Sequence, residues 1–220
     1  MYMCDELTKL YEKYPLNLRA ITKYISGTWT DMLQLEQLRD SLCTGQIASK
    51  LWLIDCIKNN IENTHLKTFG IFGGWTGILA RFMFEYLNPR HIANIEIDNS
   101  LRAINYRLMS NDDDSGFECQ YSFINCDMYK FNFNERKFDI YVNTSCEHIP
   151  VLKDWVSKIP KGKTVFLQSN NFVHEQHINI SASITDFERK AVESDNVKEI
   201  FYRGSLMLPD FERYMLGIKT

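Results

Sequence analysis

Over roughly the first sixty residues, apolar positions recur at the spacing of a helix face. Leu35, Leu38 and Leu42 form one such series, and Leu51, Ile54 and Ile57 form a second beside Trp52 and Leu53. Ser26-Gly27-Thr28 and Thr44-Gly45 punctuate this stretch. From Lys67 the pattern changes: apolar runs of strand length alternate with helical stretches, which predicts parallel βαβ units. Strands are expected at about 67–72, 91–97, 118–125, 137–142 and 163–168, with helices at about 76–88, 99–109, 150–158 and 182–193. Two more strand-like runs, at about 197–203 and 211–218, are separated only by Leu206 to Asp210. No helix fits that gap, so these two should pair antiparallel. The pattern therefore predicts an α/β fold, a three-layer sheet of about seven strands ending in an antiparallel hairpin. It divides into a helical N-terminal region, 1–62, and a sheet domain, 63–220. The N-terminal aromatic residues Tyr11, Tyr14, Tyr24, Trp29 and Trp52 are expected to pack in the core; the sharper alternative is a helical cap over an active site.

Composition narrows the class. Apolar residues make up 45% of 220 positions, enough for one sizeable core. A net charge of −3 gives no broad attraction to nucleic acid or an anionic membrane. No apolar run reaches the ~18 residues needed to span a bilayer, and the polar, acidic N-terminus is unlike a signal peptide. Cys4, Cys43, Cys56, Cys119, Cys126 and Cys146 are scattered with no C-x-x-C pair, which points to reduced thiols in a cytoplasmic setting.

Candidate chemistry begins at Phe69-Gly70-Ile71-Phe72-Gly73-Gly74-Trp75-Thr76-Gly77, an apolar strand running through a glycine turn into a helix. A ligand lying over strand ends must approach the backbone closely, where Cβ atoms would block it. The second strand runs into Asp98, placed to accept hydrogen bonds from ribose hydroxyls, with Glu96 two residues earlier as a fallback. The third ends at Asp127-Met128, where an acid can accept an adenine amino group and Met128 offers a backbone amide and an apolar contact.

Together the Gly73/Gly74/Gly77 loop, Asp98, Asp127 and the stretch Asn143-Thr144-Ser145-Cys146-Glu147-His148 after strand four resemble the class I, Rossmann-like S-adenosylmethionine-dependent methyltransferases, over about residues 67–218. Five parallel strands followed by a hairpin is the strand order of that family. The resemblance implies S-adenosylmethionine as cofactor. Gly73, Gly74 and Gly77 would hold its methionine part, Asp98 the ribose, Asp127 and Met128 the adenine, and Trp75 would flank it. Ile71 stands where the family often has an acid, and Trp75 replaces its middle glycine.

In such a sheet the acceptor is expected beside the ends of strands four and five, between Asn143–His148 and Gln168–His177. Asn143 lies where amino-methylating members carry an Asn/Asp-Pro-Pro-aromatic motif, but Thr144-Ser145-Cys146 follow, so base amino methylation does not carry over. Cys146 lacks the preceding proline of the cytosine-C5 enzymes and is expected to be an inert buried thiol. His148, with Glu147, fits general base work, since histidine titrates near neutrality without heavy tuning; the plainer alternative is a loop hydrogen bond. His174-x-x-His177 with Glu175, facing Glu147 and His148, is a conceivable ligand set. Asn143, Asn170 and Asn171 resemble the magnesium positions of catechol-type O-methyltransferases, but neutral amides hold magnesium weakly. Ordinary loop hydrogen bonding, with no metal, is the expectation.

The reading is thus a methyltransferase acting on an unidentified acceptor, a small molecule being favoured, with no nucleic-acid or membrane partner expected and an oligomer left open. A nicotinamide-dependent oxidoreductase shares the glycine turn and the acid, but lacks a complete G-x-G-x-x-G. A non-catalytic cofactor-binding module within an assembly is the third reading.

Overall fold

The computed structural model describes residues 5–14, 32–109, 120–193 and 195–220. Tyr24, Ser26-Gly27-Thr28, Trp29, Cys4, Cys119 and the side chain of Leu35 lie outside the described residues. Among the described residues, three N-terminal helices, α1 (Asp5–Lys13), α2 (Met32–Ser41) and α3 (Thr44–Asn60), precede β1 (Thr68–Phe72). There follow α4 (Ile78–Leu87), β2 (His91–Glu96), α5 (Arg102–Met109), β3 (Gln120–Asn125), β4 (Ile140–Asn143), α6 (Leu152–Ser157), β5 (Thr164–Asn170), α7 (Ile184–Val192), β6 (Glu199–Met207) and β7 (Glu212–Lys219).

The seven strands form one sheet in the order β3-β2-β1-β4-β5-β7-β6. Pairings among β1 to β5 are parallel, and β7 runs antiparallel to both β5 and β6. Side chains alternate between faces along each strand, and each face has its own cover. Phe69 and Ile71 of β1, Ile92, Val142 and Met215 share a cluster with Leu10, Leu38, Leu51 and Ile54 of the N-terminal helices and with Leu79 and Met83 of α4. Phe72, Ile95, Tyr141, Leu167 and Leu216 join Trp155 of α6 and Phe187 of α7 on the other side. This is the expected three-layer arrangement.

Between β3 and β4 the described chain forms no helix; Phe131, Phe133 and Phe138 fill that part of the second face around Phe72. Gly70 makes this possible, since a Cβ there would stand 2.3 Å from the Phe138 ring.

Two elements extend beyond their predicted bounds. β6 continues to Met207, and β5 continues past Gln168 through Ser169 and Asn170, polar residues read from sequence as loop. The extension of β5 is held by β7, with Gln168, Ser169 and Asn170 opposite Met215, Tyr214 and Arg213. The Gln168 amide also donates to the Ser49 carbonyl of α3 at 3.1 Å, so a buried polar side chain is used to fasten the N-terminal helix to the sheet. Among the described residues no helix is long and apolar enough to cross a membrane.

Candidate functional site

The strand order reverses between β1 and β4, so a crevice opens outside their C-terminal ends. The glycine turn lies at that point. Gly73 adopts φ +65° and donates to the Ile95 carbonyl of β2, and Gly77 adopts φ +87° as it leads into α4. Trp75 also has positive φ, at 50°, an uncommon conformation for a residue with a side chain; its ring packs against the core cluster beneath α4. A Cβ on Gly74 would lie 1.5 Å from the side-chain oxygen of buried Asn94, and one on Gly77 would lie 2.4 Å from that of Asn105. These two amides form a polar support under the turn. Asn94 donates to Asn105 Oδ1 at 2.6 Å, Tyr121 donates to the same oxygen at 2.7 Å, and Asn105 Nδ2 donates to the Trp75 carbonyl.

At the end of β2, buried Glu96 and not Asp98 meets the turn. One Glu96 oxygen accepts from the Trp75 amide at 2.9 Å and the other from the Asp98 amide at 3.0 Å. Asp98, past the end of the strand, caps the short 3-10 turn Asn99–Leu101 through Ser100. Asp127 accepts from the Tyr129 amide. Met128 lies beside the crevice, its sulfur 3.5 Å from Asn143 Nδ2 and 3.7 Å from where a Gly73 Cβ would stand.

The loops after β4 and β5 lie side by side, as adjacent parallel strands require. The Glu147 carbonyl accepts the amides of Ile178 and Asn179, and His148 Nδ1 lies 3.1 Å from the Gln176 carbonyl. Asn143 is buried at the end of β4 and accepts from the Ser145 amide, while Ser145 Oγ donates to the Gly73 carbonyl across the crevice. Cys146 is buried, and desolvation pushes its thiol well above the usual range, which keeps it protonated. Asn171 is occupied in fastening β5 to β7 through Glu212.

Behind the loops is a buried ion pair that sequence reading missed. Arg213 of β7 reaches Glu147 Oε1 at 3.2 Å and the Thr144 carbonyl at 3.0 Å, and Asn170 Nδ2 donates to the same Glu147 oxygen at 2.7 Å. Glu147 Oε2 and Arg213 Nε are buried without a partner among the described residues. The available signal was an arginine at the start of the apolar run Tyr214 to Ile218, where burial calls for an anionic partner.

Lys50 of α3 is a second missed cation. It is buried, and among the described residues its ammonium donates to the Gln46 carbonyl and side-chain oxygen alone. Burial, aided by the charge of Arg213, lowers its pKa from 10.5 to about 7. Between those values the unfolded chain holds a proton that the folded chain releases, so the Lys50 contribution to stability rises with pH across that window. Below about 7 the full cost of burying the charge is present. Lys50→Met is therefore expected to stabilise the protein by a few kcal/mol at about pH 6 and by progressively less towards pH 10. Urea unfolding of both proteins across that range measures it, and a pH-independent difference would show a hydrated ammonium.

No family model matches this sequence, and no curated protein does. Solved structures are similar in fold. Magnesium protoporphyrin IX methyltransferase from Synechocystis PCC 6803, with bound SAH, superposes with a TM-score of 0.62 at 10% identity over 99% of this chain and 100% of that one. A cyclopropane synthase from Mycobacterium tuberculosis gives 0.59 at 11% identity, covering 80% and 84%. The N-methyltransferase NodS from Bradyrhizobium japonicum WM9 gives 0.56 at 10% identity, covering 82% and 98%. The fold is that of the class I S-adenosylmethionine-dependent methyltransferases.

Proposed function

We propose that the protein binds S-adenosylmethionine over the glycine turn and transfers its methyl group to a small-molecule acceptor held between the loops after β4 and β5. The observation that carries this reading is the placement of the turn: Gly73, Gly74 and Trp75, held against the Ile95 carbonyl, Asn94 and Glu96, lie at the strand-order reversal of the sheet. Three similar structures with three different chemistries leave the acceptor to be argued from this chain's own loops. Phe172, Val173 and Ile178 are exposed along the loop after β5, an apolar rim that suits a partly apolar acceptor.

In methyl transfer the acceptor atom attacks the sulfonium methyl, the C–S bond breaks, and the acceptor gives up a proton if it carried one. Alignment and exclusion of water supply most of the acceleration. His148 is the proton acceptor we assign: its Nδ1 faces a carbonyl and so carries the hydrogen, which leaves Nε2 as a basic lone pair. Glu147 and Asn143 hold the shape of its loop. Glu96 is the ribose acceptor we favour over Asp98, because it is already drawn against the turn.

S-adenosylhomocysteine at a hundredfold above its dissociation constant is expected to stabilise the protein by about 2.7 kcal/mol. Glu96→Gln should weaken its binding at least about tenfold, through loss of charge-assisted hydrogen bonds, while Asp98→Ala changes it less than about threefold. Calorimetry checks both. Absence of heat with wild type would overturn the cofactor assignment, and the reverse ranking would move the ribose to Asp98.

A further inference from the structure

We propose that Glu147, His148 and His177 form a binding site for one divalent first-row transition-metal ion on the acceptor side of the crevice. Each presents one ligand atom, and the three atoms lie within 4.8 Å of one another. Ligands about 2.1 Å from an ion stand roughly 3.4 Å apart in a tetrahedron, so side-chain rotation of about 1 Å closes the set.

Three further observations support it independently of that spacing. Both imidazoles are held in the metal-ligating tautomer. His148 Nδ1 lies 3.1 Å from the Gln176 carbonyl and His177 Nδ1 lies 2.8 Å from the Phe172 carbonyl. A carbonyl only accepts, so each Nδ1 carries the hydrogen and each Nε2 offers its lone pair. This is the outer-shell arrangement that orients histidine ligands. The carboxylate is also oriented: Asn170 and Arg213 hold Glu147 Oε1, and Oε2 is buried with no partner among the described residues. Finally, the two loops are pinned together on either side of the cluster, since the Glu147 carbonyl accepts from Ile178 and Asn179, directly after His177. His174 is outside the set, its Nδ1 accepting from the Gln176 amide.

Two imidazoles and one carboxylate, with the remaining positions open, suit zinc, iron, cobalt or manganese and not calcium or magnesium. Exposed His148 leaves the open positions accessible from the side where the acceptor is expected. The inference rests on the methyl-transfer reading only for its use, and it gives His148 a second role. The lone pair that takes a proton in the metal-free pocket holds the ion when one is bound.

The test is equilibrium dialysis of the chelator-treated full chain against zinc chloride and against manganese chloride. One ion per chain is expected, with His177→Ala and His148→Ala each weakening binding at least about tenfold and His174→Ala leaving it unchanged. Both imidazoles are at the surface of the site, and circular dichroism verifies that the variants fold. No binding to wild type, or equal binding to His177→Ala, would overturn the site. S-adenosylhomocysteine calorimetry on the same samples separates the two readings. Ion binding without cofactor binding keeps the metal site and removes methyl transfer, and the converse result removes the metal site alone.

Discussion

Arg213→Ala is expected to lower stability by about 3–5 kcal/mol. The arginine and Glu147 are both buried, with side-chain exposures of 5% and 6%, so removing one leaves an uncompensated charge that water cannot reach. The Thr144 carbonyl loses its donor in the same step. For a chain of this length each kcal/mol moves the melting temperature by roughly 2–4 °C, so the shift is easily read by calorimetry. Arg213→Met combined with Glu147→Leu should recover much of the loss, because a well-packed apolar pair avoids desolvating two charges. A cost below about 1 kcal/mol for Arg213→Ala would match a solvated surface pair instead.

The second large effect is on chemistry. His148→Asn is expected to leave S-adenosylhomocysteine affinity within about twofold, since the residue is outside the glycine turn, and to cut methyl transfer by about two to four orders of magnitude. The loss is expected whether Nε2 accepts the acceptor's proton or holds an ion. Chelation separates the two roles in wild type: a base works on in chelator, and a metal ligand does not. The assay is release of S-adenosylhomocysteine in the presence of an acceptor found by screening small molecules. Full activity of His148→Asn would remove the residue from the mechanism.

The fold was legible where the physics is local. Runs such as Phe69 to Phe72 and Ile92 to Ile95 alternate with helical periodicity, and the short gap before β7 leaves an antiparallel return as the only connection. What escaped depends on partners distant in sequence. Ser169-Asn170 looks like a loop until β7 pairs its backbone and Glu147 accepts from the Asn170 amide, as Ser49 does from Gln168 just before it. That Glu96 is the acid whose side chain meets the glycine turn follows from where β2 stops pairing, a boundary that Glu96-Ile97-Asp98 does not mark. Lys50 carries no local mark of burial and becomes a buried cation when α3 lies on the sheet. The loops after β4 and β5 were expected to be neighbours from strand order. The two imidazole tautomers needed the carbonyls of Gln176 and Phe172.

The bond from Gln168 to Ser49 also bears on how the chain can be trimmed. A truncated version starting at β1 would strip Leu51 and Ile54 from the face that Phe69, Ile71 and Met215 present, opening a greasy scar along the middle of the sheet. It would also break the bond from the Gln168 amide to the Ser49 carbonyl and leave water in place of that carbonyl. For anyone preparing a minimal version for crystals or for grafting, helix α3 is therefore as much a wall of the folded body as any strand, and the cut belongs upstream of Thr44.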